Sequence, residues 1–175
     1  MEQLKKIVLP TFSLIMITFA MTSLMLIVNL LTAERIQTNA DADLIAAKES
    51  IFPQVDFIRE TVTIHDEEIR YYITENQVGY IFITSTIGYG GNMVVVTGIN
   101  AEGDVVGVEV IEHEETPGLG TQVFDYEFVS QFKVSYTPQG FVVGDNIDGI
   151  SGATITVDAL TATINYALEI YREVR

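Results

Sequence analysis

The amino-acid sequence predicts an α+β protein: one N-terminal transmembrane helix, then a domain of mostly antiparallel sheet with helices packed on it. Three observations carry that prediction. Residues Ile7 to Leu31 hold no charged side chain and are dominated by Leu, Ile, Met, Phe and Val. Between residues 61 and 111, short runs rich in β-branched and aromatic residues alternate with Gly- and Asp-containing turns. From Val157 to Val174 the apolar residues Leu160, Ile164, Leu168 and Tyr171 recur at helical spacing. Strands in sequence followed by a closing helix form an α+β arrangement.

The N-terminal element comes first. A helix needs about 20 apolar residues to cross a hydrocarbon core, and the uncharged run supplies more. Pro10 is expected in the first turn, where a missing N–H is tolerated. The rival reading is a cleaved signal peptide, whose apolar region is about 7–15 residues and ends in small residues. Here the run is longer and closes with Leu-Thr-Ala-Glu-Arg, so a retained anchor is expected. Lys5 and Lys6 precede it, whereas Arg35 and Lys48 follow, so the charge bias that orients such helices is slight. Thr32 to Ser50 reads as a helical continuation, a stalk that Pro53 ends. The expected division is therefore 1–31 for the N-terminal segment and span, 32–52 for the stalk, and 53–175 for the globular domain.

Within that domain, Thr61–Ile64 and Ile69–Ile73 flank the turn Asp66-Glu67-Glu68 as a hairpin. Gly79–Ile87 and Met93–Ile99 are two further strands joined through Gly88-Tyr89-Gly90-Gly91-Asn92. Val105–Ile111 follows the turn Ala101-Glu102-Gly103-Asp104. Gln122 to Phe132 sets Phe124, Phe128, Val129 and Phe132 at helical spacing, and Phe141-Val142-Val143 reads as a short strand.

Bulk properties exclude several functions. The 175 residues amount to one domain and an appendage. The net charge of −15 argues against nucleic acid, whose phosphates require a basic face. The absence of cysteine removes disulfides, thiolate metal sites and iron–sulfur ligation. Only His65 and His113 are present, and Glu112-His113-Glu114-Glu115 does not match the H-E-x-x-H spacing of a zinc site. Strand alternation would send Glu112 and Glu114 to one face and His113 and Glu115 to the other, leaving His113 at the surface or a pocket rim.

Two stretches carry chemistry. In Asp148-Gly149-Ile150-Ser151-Gly152-Ala153-Thr154-Ile155-Thr156, small residues bracket hydroxyls immediately before a helix. Thr156 is expected to cap that helix, with Asp158 in its first turn. On its residues alone this is either a Gly-rich turn or a helix N-terminus able to hold phosphate. Residues 149–153 fail the fifth position of G-x-S-x-G, and no G-K-[ST] follows. Upstream, Glu115-Thr116-Pro117-Gly118-Leu119-Gly120 lies between a strand and a helix. It reads as a β-to-α loop or as a clamp whose glycine N–H groups and Leu119 face a planar ring.

Together, D-G-I-S-G-A-T at 148–154 and E-T-P-G-L-G at 115–120 resemble the motifs of the RnfG and NqrC FMN-binding domains. These belong to the Rnf complex and to the sodium-pumping NADH:quinone reductase. The resemblance covers most of the chain after residue 50, and the short chain favours RnfG. It implies that a flavin transferase attaches FMN covalently through a phosphoester to Thr154. Ser151, Gly152 and Ala153 would complete the attachment motif. Asp148 would serve as a turn-forming residue, as part of what the transferase recognises, or both. It further implies that Glu115, Thr116, Pro117, Gly118, Leu119 and Gly120 line the flavin. The Gly88-Tyr89-Gly90-Gly91 loop reads as a strand–strand turn, with Tyr89 and Gly90 as one pocket wall if the resemblance extends to it.

The expected function is then electron relay within an ion-translocating ferredoxin:NAD+ oxidoreductase (Rnf) complex, with its other subunits as partners. The resemblance places the flavin domain outside the cytoplasm, anchored in the cell membrane. No acid–base or nucleophile constellation accompanies the motifs, so turnover of a substrate by the chain alone is not expected. Two alternatives are a stand-alone anchored flavoprotein for extracytoplasmic electron transfer, and a non-redox anchored interaction domain.

Overall fold

The computed structural model describes residues 2–64, 67–133 and 140–175. Helix α1 spans Glu2–Ile51 without interruption. Tertiary contacts divide the chain between Ala42 and Asp43 into two units. The first is helical, and α1, which ends in the second unit, is long and apolar enough to cross a membrane. The hydroxyls of Thr18, Thr22 and Thr32 donate to the carbonyls of Leu14, Thr18 and Val28 at 2.8–2.9 Å. These three hydroxyls are thus satisfied inside the helix, as lipid requires. Because α1 begins at Glu2, Pro10 lies in the helix interior rather than in its first turn, removing one backbone bond near the start.

The second unit is built on a five-stranded antiparallel meander in the order β1 (Phe57–Ile64), β2 (Glu67–Thr74), β3 (Gly79–Ile87), β4 (Asn92–Asn100) and β5 (Val105–His113). Short turns between period-2 segments make each strand pair with its sequence neighbour. The expected acidic turn is shorter than predicted, since Glu67 and Glu68 pair with Ile64 and Thr63; Asp66 lies outside the described residues. Irregularities at Val94/Val95 and Gly98/Ile99 shift the β4–β5 register. The edge strand β1 is mostly exposed, with Arg59, Glu60, Thr61 and Thr63 facing solvent.

One sheet face carries the main core. Phe82, Met93, Val95, Ile99 and Val108 pack against Val157, Leu160, Ile164 and Leu168 of α3 (Thr154–Val174) and against Val123, Phe128 and Phe132. The opposite face holds a smaller cluster of Tyr72, Ile81 and Val96 beneath Leu44, Ala47, Ile51 and Phe52. Leu44, Ala47 and Ile51 recur at i, i+3 and i+7, which puts them on one helix face. The end of α1 is thus packed on the sheet, an additional helix layer beyond the helices expected on one side. Glycines make room for it: a Cβ on Gly107 would come within 2.8 Å of Ile51, and one on Gly98 would also strike Ile51. Lys48 Nζ lies 4.2 Å from the Tyr72 ring centroid, a cation–π contact.

The segment expected as a helix over 122–132 is broken. A 3₁₀ turn at Gly120–Phe124 is followed by the single α turn α2 (Tyr126–Val129) and a second 3₁₀ turn at Ser130–Phe132. The break falls at Asp125, whose backbone is extended (φ −63°, ψ 142°). The apolar spacing still buries Phe128, Val129 and Phe132, so a broken path serves the core as well as a helix would. Phe141–Val143 likewise forms no strand, apart from an isolated Val143–Ile147 bridge. Side-chain amides replace a strand partner there. Asn165 both accepts from Phe141 N–H and donates to its carbonyl at 2.8 Å, and Asn146 accepts from Val142 N–H at 2.7 Å.

Candidate functional site

Meander topology sets the loop after β3 beside the exit of β5, because Ile87 pairs with Asn92 and Met93 with His113. The β3–β4 turn is closed by the Gly88 N–H donating to the Gly91 carbonyl at 2.8 Å. It lies flat against the next chain segment: a Cβ on Gly90 would sit 2.8 Å from Glu115 Cα and closer still to the Glu114 carbonyl. Backbone approach of this kind is what glycine permits. Beyond β5, Leu119 N–H donates to the Thr116 carbonyl at 3.2 Å, with Pro117 and Gly118 (φ +78°) at the corner. Pro followed by a positive-φ Gly is the type II turn pattern.

The N-terminus of α3 completes the site. Thr154 is its first residue and is exposed. The capping position is Ala153, which offers no side-chain hydrogen bond. Thr156, expected to be the cap, is instead fully buried in the first turn. The helix starts three residues earlier, directly after Gly152 takes φ +87° and turns the chain into it. No acidic residue occupies the first turn, so Asp158 lies beyond it. This helix end has free N–H groups and an alanine cap, where Ser, Thr, Asp or Asn would stabilise it by about 1 kcal/mol. A phosphate on the adjacent Thr154 would meet both the free N–H groups and the positive end of the helix dipole.

Tyr89, Glu115, Thr116, Leu119, Gly120, Gly152 and Thr156 line one cleft of about 40 Å³. Two motifs well separated in sequence therefore share a wall, and a Cβ on Gly152 would lie 3.8 Å from Leu119 Cδ2. Of the cleft residues, Tyr89 and Leu119 are 72% and 53% exposed, and Ile155, next to Thr156 in sequence, is 56% exposed. Glu115 is only 5% exposed, and neither carboxylate oxygen has a hydrogen-bond partner among the described residues. The Thr156 hydroxyl is orphaned in the same way. A buried polar group without a partner is costly, by about 1–3 kcal/mol.

Other candidates stand apart. Pro117 and Gly118 are exposed at the turn, and Ser151, Ala153 and Thr154 adjoin the cleft residue Gly152 without lining the cleft. Asp148 borders a separate groove with Gln122, Asp125, Glu127, Phe128 and Gln131, and its N–H donates to the Gln131 side chain at 2.8 Å. His113 is exposed, its ring 4.8 Å from that of Phe124, while Glu115 is buried. Strand alternation does not reach Glu115, because β5 ends at His113. Sequence reasoning put Gly88 in the β3–β4 turn and Thr156 at the helix cap, but gave neither a place beside Glu115. A Cβ on Gly88 would strike Glu115 Oε1 and one on Gly120 would strike Oε2, so the carboxyl group sits between two glycines. Among the described residues no group of three or more His, Cys, Asp or Glu side chains could hold a metal.

The donor set fits a flavin mononucleotide. It offers a phosphate seat at a helix N-terminus, unsatisfied polar atoms beside it, and exposed apolar side chains at the mouth for a planar ring. Sequence comparisons with known proteins agree. Residues 88–169 match the FMN-binding domain family. The chain is 33% identical over 140 residues to the G component of the ion-translocating oxidoreductase complex of Methanosarcina acetivorans, covering 69% of this chain and 72% of that one. It is 34% identical over 119 residues to the G component of the Na(+)-translocating ferredoxin:NAD(+) oxidoreductase complex of Acetobacterium woodii, covering 61% of this chain and 57% of that one. The match thus spans little more than half of the Acetobacterium protein. A crystal structure of the C component of Na(+)-translocating NADH-quinone reductase from Parabacteroides distasonis aligns with a TM-score of 0.48 at 22% identity, over 59% of this chain and 61% of that one.

Proposed function

The chain belongs to the RnfG family of ion-translocating oxidoreductase complexes and contains an FMN-binding domain, and from that premise we propose that it relays electrons within an Rnf-type ferredoxin:NAD+ oxidoreductase, carrying FMN esterified to Thr154. The observation that carries this reading is the position of Thr154, solvent-exposed at an uncapped helix N-terminus and flanked by residues of the cleft. Bound FMN would supply one- and two-electron redox chemistry.

The chain's own residues account for binding. The free N–H groups at the start of α3 would hold the phosphate, and Leu119, Tyr89 and Ile155 would shield one side of the ring. A cleft of about 40 Å³ is far below the roughly 300 Å³ at which small-molecule pockets begin. Shape alone would therefore hold the cofactor weakly. The net charge of −15 adds repulsion toward an anionic ligand. A covalent bond installed by a flavin transferase offsets both, since a short tether keeps the local concentration in roughly the millimolar range.

Other members of the complex would receive and deliver electrons at the exposed mouth. Placement of the domain outside the cytoplasm is part of the same reading and rests on the family resemblance, since Lys5 and Lys6 ahead of the apolar run are nearly balanced by Arg35 and Lys48 behind it. The decisive experiment is to denature the protein from its native membrane and run it on a gel. The band should fluoresce as flavin, the peptide containing Thr154 should carry the added mass of FMN less water, and Thr154→Val should abolish both. Fluorescence that survives in the variant would remove the attachment site from the proposal.

A further inference from the structure

We propose that Glu115 and Thr156 form a hydroxyl-binding subsite that selects the polyol chain of the flavin, as distinct from its ring or its phosphate; this rests on the flavin reading above. The Glu115 carboxylate is 5% exposed and Thr156 is fully buried, yet neither Glu115 oxygen nor the Thr156 hydroxyl has a partner among the described residues. Both side chains line the same small cleft. Gly88 and Gly120 have no side chains where a Cβ would displace the carboxylate, so the surrounding loops are shaped to keep that group in place.

Chemistry narrows what the subsite takes. A carboxylate only accepts hydrogen bonds, so its ligand must donate, while a threonine hydroxyl can donate or accept. A phosphate, which only accepts when ionised, is the wrong group for Glu115. Volume favours the chain: about 40 Å³ is room for a few water-sized groups at roughly 10–15 Å³ each, and far short of the roughly 300 Å³ of a small-molecule pocket. Position agrees. Gly152 and Thr156 stand two residues either side of Thr154, so the cleft begins where a chain leaving a Thr154-linked phosphate would first pass. The exposed apolar residues at the mouth are left for the ring. A ribityl chain, with successive hydroxyls between phosphate and ring, supplies donors at that point.

The test uses the full chain produced without the transferase, so that free ligands can be compared. The probes are FMN and a flavin phosphate whose linker has the same length but lacks the three secondary hydroxyls. Wild type should bind FMN more tightly by ~10-fold or more, because a buried hydrogen-bonding site left unpaired rejects the analogue that lacks the group. Glu115→Gln and Thr156→Val should each shrink that ratio several-fold, mainly by weakening FMN. A second readout separates this role from a structural one. With no ligand added, Glu115→Gln should raise the melting temperature, since a neutral amide is less costly to bury than an unpaired carboxylate. With FMN added, the same variant should gain less stabilisation than wild type. Equal affinity of wild type for the two flavins, or variants that lower the melting temperature while keeping the FMN preference, would overturn the subsite and leave the flavin reading intact. Failure of wild type to bind either flavin would overturn the subsite, and together with a native protein free of covalent flavin it would overturn the flavin reading as well.

Discussion

A Cβ on Gly90 would lie within 2.8 Å of backbone atoms of Glu114 and Glu115, and backbone cannot swing aside as a flexible side chain can. Gly90→Ala should therefore force the β3–β4 turn off the segment that positions Glu115. The expected loss is about 1–3 kcal/mol, the usual range for overpacking, measured by chemical denaturation, with a parallel loss of bound flavin. Gly118→Ala is the informative control. No atom would lie within 4 Å of its Cβ, so only the φ of +78° opposes it, at about 1 kcal/mol. Equal costs at the two positions would show that close approach to Glu115 is not what Gly90 is for. At this scale the sequence was half informative. The glycines of 88–91 and the T-P-G turn were readable, because positive φ and tight corners admit few residue types. The burial of Glu115 and Thr156 was not. Both are polar residues at element boundaries, where period-2 or period-3.6 alternation stops and tertiary packing alone decides the side chain's direction.

At the scale of elements, the end of α1 and the sheet meet through residues that only make sense together. Ile51 and Phe52 press onto Gly107, Gly98 and Gly79, one glycine on each of three adjacent strands. Gly98→Ala would push against the Ile51 side chain and loosen that contact. Limited proteolysis should then cut within residues 43–52 faster than in wild type, while the opposite core around α3 keeps its protection; unchanged cleavage would mean Ile51 accommodates the methyl. Strands β3, β4 and β5 were legible to within one or two residues because runs rich in β-branched residues are bounded by turns containing Gly, Asn and Asp. The helix end on the second face was not foreseen, since Leu44, Ala47 and Ile51 in a charged stretch read equally well as a solvated stalk. Residues 122–132 misled for a related reason. Three buried apolar residues at helical spacing satisfy the core whether the backbone is α-helical or alternates 3₁₀ and α turns, and nothing in the local composition marks Asp125 as the break.

The whole molecule combines an apolar helix of membrane-spanning length, an acidic chain of net charge −15 and a shallow cleft. If the domain stands outside the cytoplasm as proposed, protease added to intact cells stripped of any outer barrier should remove the flavin-fluorescent band; survival of the band would place the domain inside. A bilayer anchor also confines copies of the chain to two dimensions, where they encounter one another far more often than in free solution. Strand β1 ends the sheet with an unpaired edge, a template on which a neighbouring sheet could extend. Its outward residues Arg59, Glu60, Thr61 and Thr63 make that edge charged and well hydrated. Charge and hydration there oppose strand-to-strand zippering between crowded neighbours along this edge.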